Sequence, residues 1–179
     1  ITLNGFFVGV EFSVVASRKT RLDLMADANT RAARLVHRWL DDEAARDRLI
    51  AASQLGITLV SLALGAAGEN AFEAWLAPYF EGLQMPPRLL FLQAVIPALP
   101  LVISLTVVTA LHVVLGEQVP KVAVLRSPER FALFSAPIMQ VFSAVFRWFI
   151  FLLDWATRAI LRLVGMRANG HAHATVTSV

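Results

Sequence analysis

The sequence of 179 residues contains no cysteine, which excludes disulfide bonds and thiolate metal sites. Charges are also scarce, because only 16% of the residues are Asp, Glu, Lys or Arg, whereas soluble domains average about a quarter. Hydrophobic residues make up 57% of the chain, and the mean hydropathy is +0.63. This composition excludes an ordinary soluble domain and predicts an all-α integral membrane protein.

Common catalytic motifs are missing as well. Neither His-Glu-x-x-His nor Gly-x-Ser-x-Gly occurs, so no nucleophile or metal pair is recognisable. We therefore expect that the chain is not an enzyme. The net charge of +3 does not indicate a nucleic-acid partner. The arginines cluster beside apolar segments, where basic residues set the orientation of membrane helices.

Three apolar segments are predicted to cross the bilayer as helices, at residues 1–18, 48–68 and 88–115. Residues 49–68 carry no formal charge and would extend about 30 Å as a helix. The first segment is shorter and contains Glu11; we expect it to lack its first turns, because the sequence begins inside an apolar run.

Basic residues concentrate at 18–48 and 121–130, whereas the connection between the second and third segments carries Glu69, Glu73 and Glu81. The positive-inside rule then predicts an outside N-terminus, three crossings and a cytoplasmic C-terminus in the inner (plasma) membrane. Within 18–48, apolar residues at three-and-four spacing predict a short amphipathic helix, and Asp41 or Asp42 is expected to cap the next one. These two helices would form a cytoplasmic hairpin, although a basic lipid-binding patch is the alternative.

A further apolar stretch at 131–153 has two interpretations. The first is an amphipathic juxtamembrane helix at about 137–164, lying in the membrane interface with Pro137 at its start or at a bend. The second is a fourth crossing, which would reverse the side of the C-terminus. Charged and aromatic residues fall on different helix faces, which favours the in-plane helix: Arg147, Asp154, Arg158 and Arg162 against Phe142, Phe146 and Phe149.

Glu117 is the strongest candidate for a functional residue. It closes the uncharged run 89–115, and an ionisable group in a membrane segment marks an ion path or substrate site by default. Pro120 has no N–H, so a continuing helix would leave the Gly116 carbonyl without its usual partner. A carboxylate beside a free carbonyl is the oxygen lining that Mg²⁺ and Ca²⁺ prefer.

Polar residues on the other segments are predicted to face the same region. Thr58 and Ser61 belong to a stripe on the second segment, and Asn4 and Glu11 share a face of the first. We interpret His112 as a hydrogen-bonded packing residue rather than a ligand. Small and hydroxylated residues also stabilise helix packing in membranes, so packing is the alternative for the stripe.

Four motifs in this order and spacing resemble the transmembrane domain of the CNNM/CorC family: NGFFVGVEF at 4–12, SRKTRL at 17–22, QLGITL at 54–59 and LGEQVPK at 115–121. The resemblance implies a homodimer in the lipid bilayer, with three crossings, a cytoplasmic hairpin and a belt-like juxtamembrane helix over residues 1–165. Residues 166–179 resemble the connector toward a cytoplasmic pair of CBS domains, through which alone ATP would bind, and which this sequence lacks.

The resemblance further implies divalent-cation transport, with Mg²⁺ exported and Na⁺ as the coupling ion. Glu117, the Gly116 carbonyl, Ser61 and Thr58 are the expected metal ligands, and Glu11 would tune the field or serve the coupling ion. Pro120 and Lys121 complete the structural motif.

Two departures from the family pattern weaken this expectation. Val8 and Val10 stand where many members have serines, and no asparagines occur near Ile57 and Thr58. The alternative function is therefore a noncatalytic anchor that dimerises a cytoplasmic CBS-type sensor.

Overall fold

The computed structural model describes residues 1–25, 30–81 and 96–163, and within these ranges the chain is helical with no strand. A 3₁₀ turn, Ile96–Ala98, precedes α5, and a π-helical segment, His112–Gln118, joins α5 to α6. The helices are α1 Thr2–Ala16, α2 Lys19–Asp23, α3 Arg31–Asp41, α4 Glu43–Glu81, α5 Leu99–Leu111, α6 Val119–Val124, α7 Pro128–Val145 and α8 Arg147–Leu163.

Two of the described helices, Glu43–Phe80 and Leu99–Val124, are long and apolar enough to cross a membrane. A third crossing is possible if α7 and α8 form one bent span, and α1 is a shorter apolar helix of 15 residues. The prediction of an all-α membrane protein is confirmed. The structure describes a multi-pass arrangement in which α4 packs against both α5 and α1.

The helices that contain the second and third predicted segments extend beyond them. Helix α4 begins at Glu43 and continues to Glu81, well beyond 48–68, because neither the acids nor Pro78 interrupt its backbone. The third helix continues past residue 115 to Val124, so Glu117 lies inside a helix rather than at its end. The start of this segment, 88–95, lies outside the described residues.

The predicted hairpin is formed by α3 and the start of α4. Thr30 Oγ1 accepts a hydrogen bond from Ala33 N at 3.2 Å and caps α3. Asp42 Oδ1 accepts from Ala44 N at 3.0 Å, so Asp42 rather than Asp41 caps α4. Asp41 instead pairs with Lys19 on α2 at 2.8 Å, and this hydrogen bond, with the charge of the carboxylate, raises the pKa of Lys19.

Two helices occupy the region where one juxtamembrane helix was expected at about 137–164. Helices α7 and α8 meet at Phe146 with a bend of 74°, and Pro137 lies inside α7. Aromatic packing lies at the bend, because the Phe142 ring is 4.6 Å from that of Phe146 and 4.8 Å from that of Phe7 on α1. Helix α7 buries Ala132, Ser135, Ala136 and Met139 on the face that packs against α1 and α3, and it exposes Phe134 and Val141 on another face.

Helix α1 is the centre of the packing, since it contacts α4, α6, α7 and the π-helical segment. Its approach to α4 and to α6 depends on glycine. A Cβ atom on Gly56 would lie 2.5 Å from the Phe7 ring, and one on Gly5 would lie 2.7 Å from Pro120 Cγ. Just after the end of α1, Arg18 N donates a hydrogen bond to the buried carboxylate of Glu129 at 3.2 Å.

Replacing Gly56 with Ala should destabilise the fold. The new methyl group would overlap the Phe7 ring, and overpacking of this kind costs about 1–3 kcal/mol. We expect a lower thermal unfolding midpoint for the purified chain in detergent. Gly65→Ala is the matched control on the same helix, because nothing lies within 4 Å of its added Cβ. Equal midpoints for the two variants would contradict the described packing of α1 on α4.

Candidate cation site

The third long helix changes its hydrogen-bond pattern next to Pro120. In the segment His112–Gln118 the turns are wider, and Val119 N donates to Val114 O, five residues earlier. Pro120 lacks the N–H that would bond to the Gly116 carbonyl in an α-helix. In the structure that carbonyl accepts a hydrogen bond from Asn4 Nδ2 at 3.1 Å instead. A side chain of α1 thus replaces a backbone donor of the third helix.

The wider turn also brings His112 and Glu117 together. In an α-helix, residues five apart would be separated by about 140° around the axis. In a helix with i→i+5 hydrogen bonds they lie nearly above one another. Accordingly, His112 Nε2 is 3.4 Å from Glu117 Oε1.

Asn4 and Ser61 complete the arrangement. Asn4 is fully buried on α1, and its Oδ1 accepts a hydrogen bond from Ser61 Oγ of α4 at 3.2 Å. His112 Nε2 lies 3.2 Å from Ser61 Oγ and 3.4 Å from Asn4 Nδ2. We call Asn4, Ser61, His112, Gly116 and Glu117 the polar cluster. It joins α1, α4 and the π-helical segment.

Three of the four predicted metal ligands, Glu117, Gly116 and Ser61, therefore meet in one place. Thr58 does not join them, because it is exposed and its Oγ1 donates to Gln54 O of its own helix at 2.9 Å. Glu11 also lies apart, with its carboxylate beside the Gln54 side chain. It is seven residues from Asn4 along α1, or about 10 Å.

Asn4 had no predicted role as a donor, and His112 was predicted to be a hydrogen-bonded packing residue. In a regular α-helix the side chains of His112 and Glu117 would point in different directions. Only the π-helical backbone brings them together. A usable signal was present: an asparagine in an apolar helix must find a polar partner, and the carbonyl freed by Pro120 is such a partner. These two observations together would have paired Asn4 with Gly116.

The chemistry of the polar cluster is mixed. Its donors are a carboxylate, a backbone carbonyl, an amide, a hydroxyl and one imidazole. Among the residues that the structure describes, no three His, Cys, Asp or Glu side chains come together. The His112 side chain is 14% exposed and that of Glu117 is 42% exposed, so the imidazole lies inside and the carboxylate lies at the edge.

Lys121 does not neutralise Glu117. Its Nζ lies over the Phe12 ring, 4.3 Å from the ring centroid. Within the described part of the chain, the titratable side chain in contact with Glu117 is that of His112 rather than a lysine or arginine. The carboxylate therefore remains available to a cation that reaches the cluster.

A helical multi-pass membrane protein with a polar cluster where three helices meet is the class that this fold and site define. The family model of the Cyclin M transmembrane N-terminal domain (CNNM) matches residues 1–179, and the chain belongs to this family. This membership is consistent with membrane-associated cation transport.

Curated relatives come from several bacteria. The chain is 35% identical to the UPF0053 protein YhdT of Bacillus subtilis over 93% of its own length and 34% of that protein. It is 36% identical to protein Rv1841c of Mycobacterium tuberculosis over 99% of the chain and 48% of the relative. For the UPF0053 protein sll0260 of Synechocystis the identity is 35%, over 94% and 36%. The chain thus spans a third to a half of the length of these relatives. No solved structure matches it.

Replacing Asn4 with Ala should destabilise the protein, because the buried Gly116 carbonyl and the Ser61 hydroxyl would lose their partner. We expect a cost of about 2–3 kcal/mol, read as a lower thermal unfolding midpoint. Asn70→Ala is the control, since exposed Asn70 bonds only to Ala66 O of its own helix. If both variants melted alike, the amide would not be joining the helices.

Proposed function

We propose that this chain is the membrane domain of a divalent-cation transporter, with Mg²⁺ as the expected ion and Glu117 as its principal ligand. The observation that carries the proposal is a network between three helices: Asn4 bonds to the Gly116 carbonyl and to Ser61, and His112 connects Ser61 to Glu117. A carboxylate is expensive in a membrane segment. A bound cation offsets that cost.

The donors suit a hard cation. Carboxylate, carbonyl, hydroxyl and amide oxygens are the ligands that Mg²⁺ and Ca²⁺ take in proteins. In the structure these groups are hydrogen-bonded to one another, so binding requires the Asn4 amide to turn its oxygen inward and the Ser61 hydroxyl to release its bond. The half-exposed carboxylate lets the ion keep several waters, as Mg²⁺ does when protein ligands are few.

The remaining elements of the proposal follow the family resemblance. They are a homodimer in the plasma membrane, an outside N-terminus, and export coupled to Na⁺ entry, with ATP acting only through CBS domains outside this sequence. The pair formed by Glu11 and Gln54 supports a role for Glu11 near a coupling ion, because it joins α1 to α4 apart from the polar cluster. Mg²⁺ flux into liposomes containing the chain, with and without an opposing Na⁺ gradient, tests the direction of transport and its coupling to Na⁺.

A membrane anchor for a cytoplasmic sensor is the second candidate. One observation favours it: the polar groups of the cluster satisfy one another by hydrogen bonds. Interhelical bonds of this kind stabilise membrane bundles without any ligand. An anchor would show no response to divalent cations.

Glu117→Gln should keep the fold but abolish most of the stabilisation by Mg²⁺, since it removes the full negative charge of the site. A ligand at 100 times its Kd adds about 2.7 kcal/mol to the unfolding free energy, so the wild-type melting midpoint should rise with Mg²⁺. Glu73→Gln on α4 is the charge-matched control. A rise that persists unchanged in Glu117→Gln would reject this site, and a wild-type chain insensitive to Mg²⁺, Ca²⁺ and Mn²⁺ would favour the anchor.

Ser61→Ala should weaken Mg²⁺ binding less than Glu117→Gln does, because a neutral oxygen contributes only about 1 kcal/mol, or roughly fivefold in Kd. Calorimetric titration of the purified variants measures the two losses. Thr58→Ala should leave the Kd unchanged, since its hydroxyl bonds to its own helix. A larger loss for Ser61→Ala than for Glu117→Gln would reverse our ranking of the ligands.

A further inference from the structure

The contacts of the polar cluster converge on one nitrogen. His112 Nε2 lies 3.2 Å from Ser61 Oγ, 3.4 Å from Asn4 Nδ2 and 3.4 Å from Glu117 Oε1. Each ring nitrogen of a buried histidine needs one hydrogen-bond partner. Here one ring atom faces side chains from three separate parts of the chain, and the side chain is only 14% exposed.

The hydrogen bonds among the other members of the cluster do not require a hydrogen on this nitrogen. Asn4 Nδ2 donates to the Gly116 carbonyl, and Ser61 Oγ donates to Asn4 Oδ1. With its hydrogen on Nδ1, His112 presents the Nε2 lone pair to a cation, whereas with a hydrogen on Nε2 it donates to Glu117 Oε1 at 3.4 Å or to Ser61 Oγ at 3.2 Å.

The spacing suits ligands of one ion. Atoms about 2.1 Å from a metal lie about 3.0 Å apart at the edge of an octahedron and about 3.4 Å apart at the edge of a tetrahedron. The distances from Nε2 to Ser61 Oγ and to Glu117 Oε1 are 3.2 and 3.4 Å. Small inward shifts of these side chains therefore bring nitrogen, hydroxyl and carboxylate into one coordination shell.

From this geometry we infer that His112 Nε2 is a ligand of the transported ion and makes the site prefer first-row transition divalent cations to Mg²⁺. The inference rests on the proposed transport of a divalent cation, and it replaces Mg²⁺ with a transition-metal ion as the preferred substrate. Imidazole is a good ligand for Fe²⁺, Co²⁺ and Zn²⁺, whereas Mg²⁺ takes oxygen ligands and gains little from nitrogen. Oxygen donors alone would give a smaller preference.

His112→Gln should lower the affinity for Co²⁺ by about tenfold or more, the effect of losing a coordinating nitrogen, while the Kd for Mg²⁺ changes by less than about threefold. Glutamine retains a polar group that can hydrogen-bond to Asn4 and Ser61. Calorimetric titration of the full chain with each ion gives the two Kd values. His37→Gln is the control, because His37 pairs with Asp23 away from the cluster.

The tail contains two more histidines, His171 and His173, which lie outside the described residues and could bind Co²⁺ themselves. All titrations therefore use a background with both replaced by Ala. Pulsed EPR of Mn²⁺ bound to this otherwise wild-type chain adds a measurement that does not depend on the folding of a His112 variant. We expect modulation from a directly coordinated imidazole nitrogen.

Several outcomes separate this inference from the proposed function. An unchanged ratio of Co²⁺ to Mg²⁺ affinity in His112→Gln, or no nitrogen modulation in the Mn²⁺ spectrum, overturns the role of His112. The transporter proposal survives that result if Glu117→Gln still weakens binding of both ions. If Glu117→Gln leaves the Kd values for both ions unchanged, the transporter site and the inference are both wrong.

Discussion

The hydrogen bond from Asn4 to the Gly116 carbonyl is the interaction on which the rest of the structure depends. It resolves two problems at once, because an amide buried on an apolar helix needs a partner and Pro120 leaves a carbonyl without one. Where they meet, the third helix widens and turns His112 and Glu117 to the same side. The candidate site is thus a product of backbone geometry as much as of its side chains.

Close packing around α1 is what makes this bond possible. Gly5 lets the first helix touch Pro120, and Gly56 lets Phe7 lie against α4. Larger residues at either glycine would push α1 outward and carry Asn4 away from its partner. The oxygen donors and the imidazole are therefore positioned by contacts between apolar atoms. A membrane bundle, which gains little from the hydrophobic effect between its helices, relies on van der Waals packing of this kind.

Composition and periodicity predicted much of the fold because these signals are local. Uncharged runs marked the long helices, three-and-four spacing marked α3, and the acids at 41–42 marked the start of α4. The bend at Phe146 and the extent of α4 escaped prediction, because aromatic packing and neighbouring helices decide them. Within the site, Gly116, Glu117 and Ser61 were predicted, whereas the contact of His112 with Glu117 was not, because this contact exists only in the π-helical turn.

The bond between Glu129 and the backbone of Arg18 has a mechanical consequence. It ties the first turn of α7 to the chain just after α1, so these two helices cannot slide past each other without breaking a buried charge-assisted bond. A displacement of α7 would therefore move α1 and, with it, the Asn4 amide near the other end of that helix. The bond thereby couples α7 mechanically to the polar cluster between the helices.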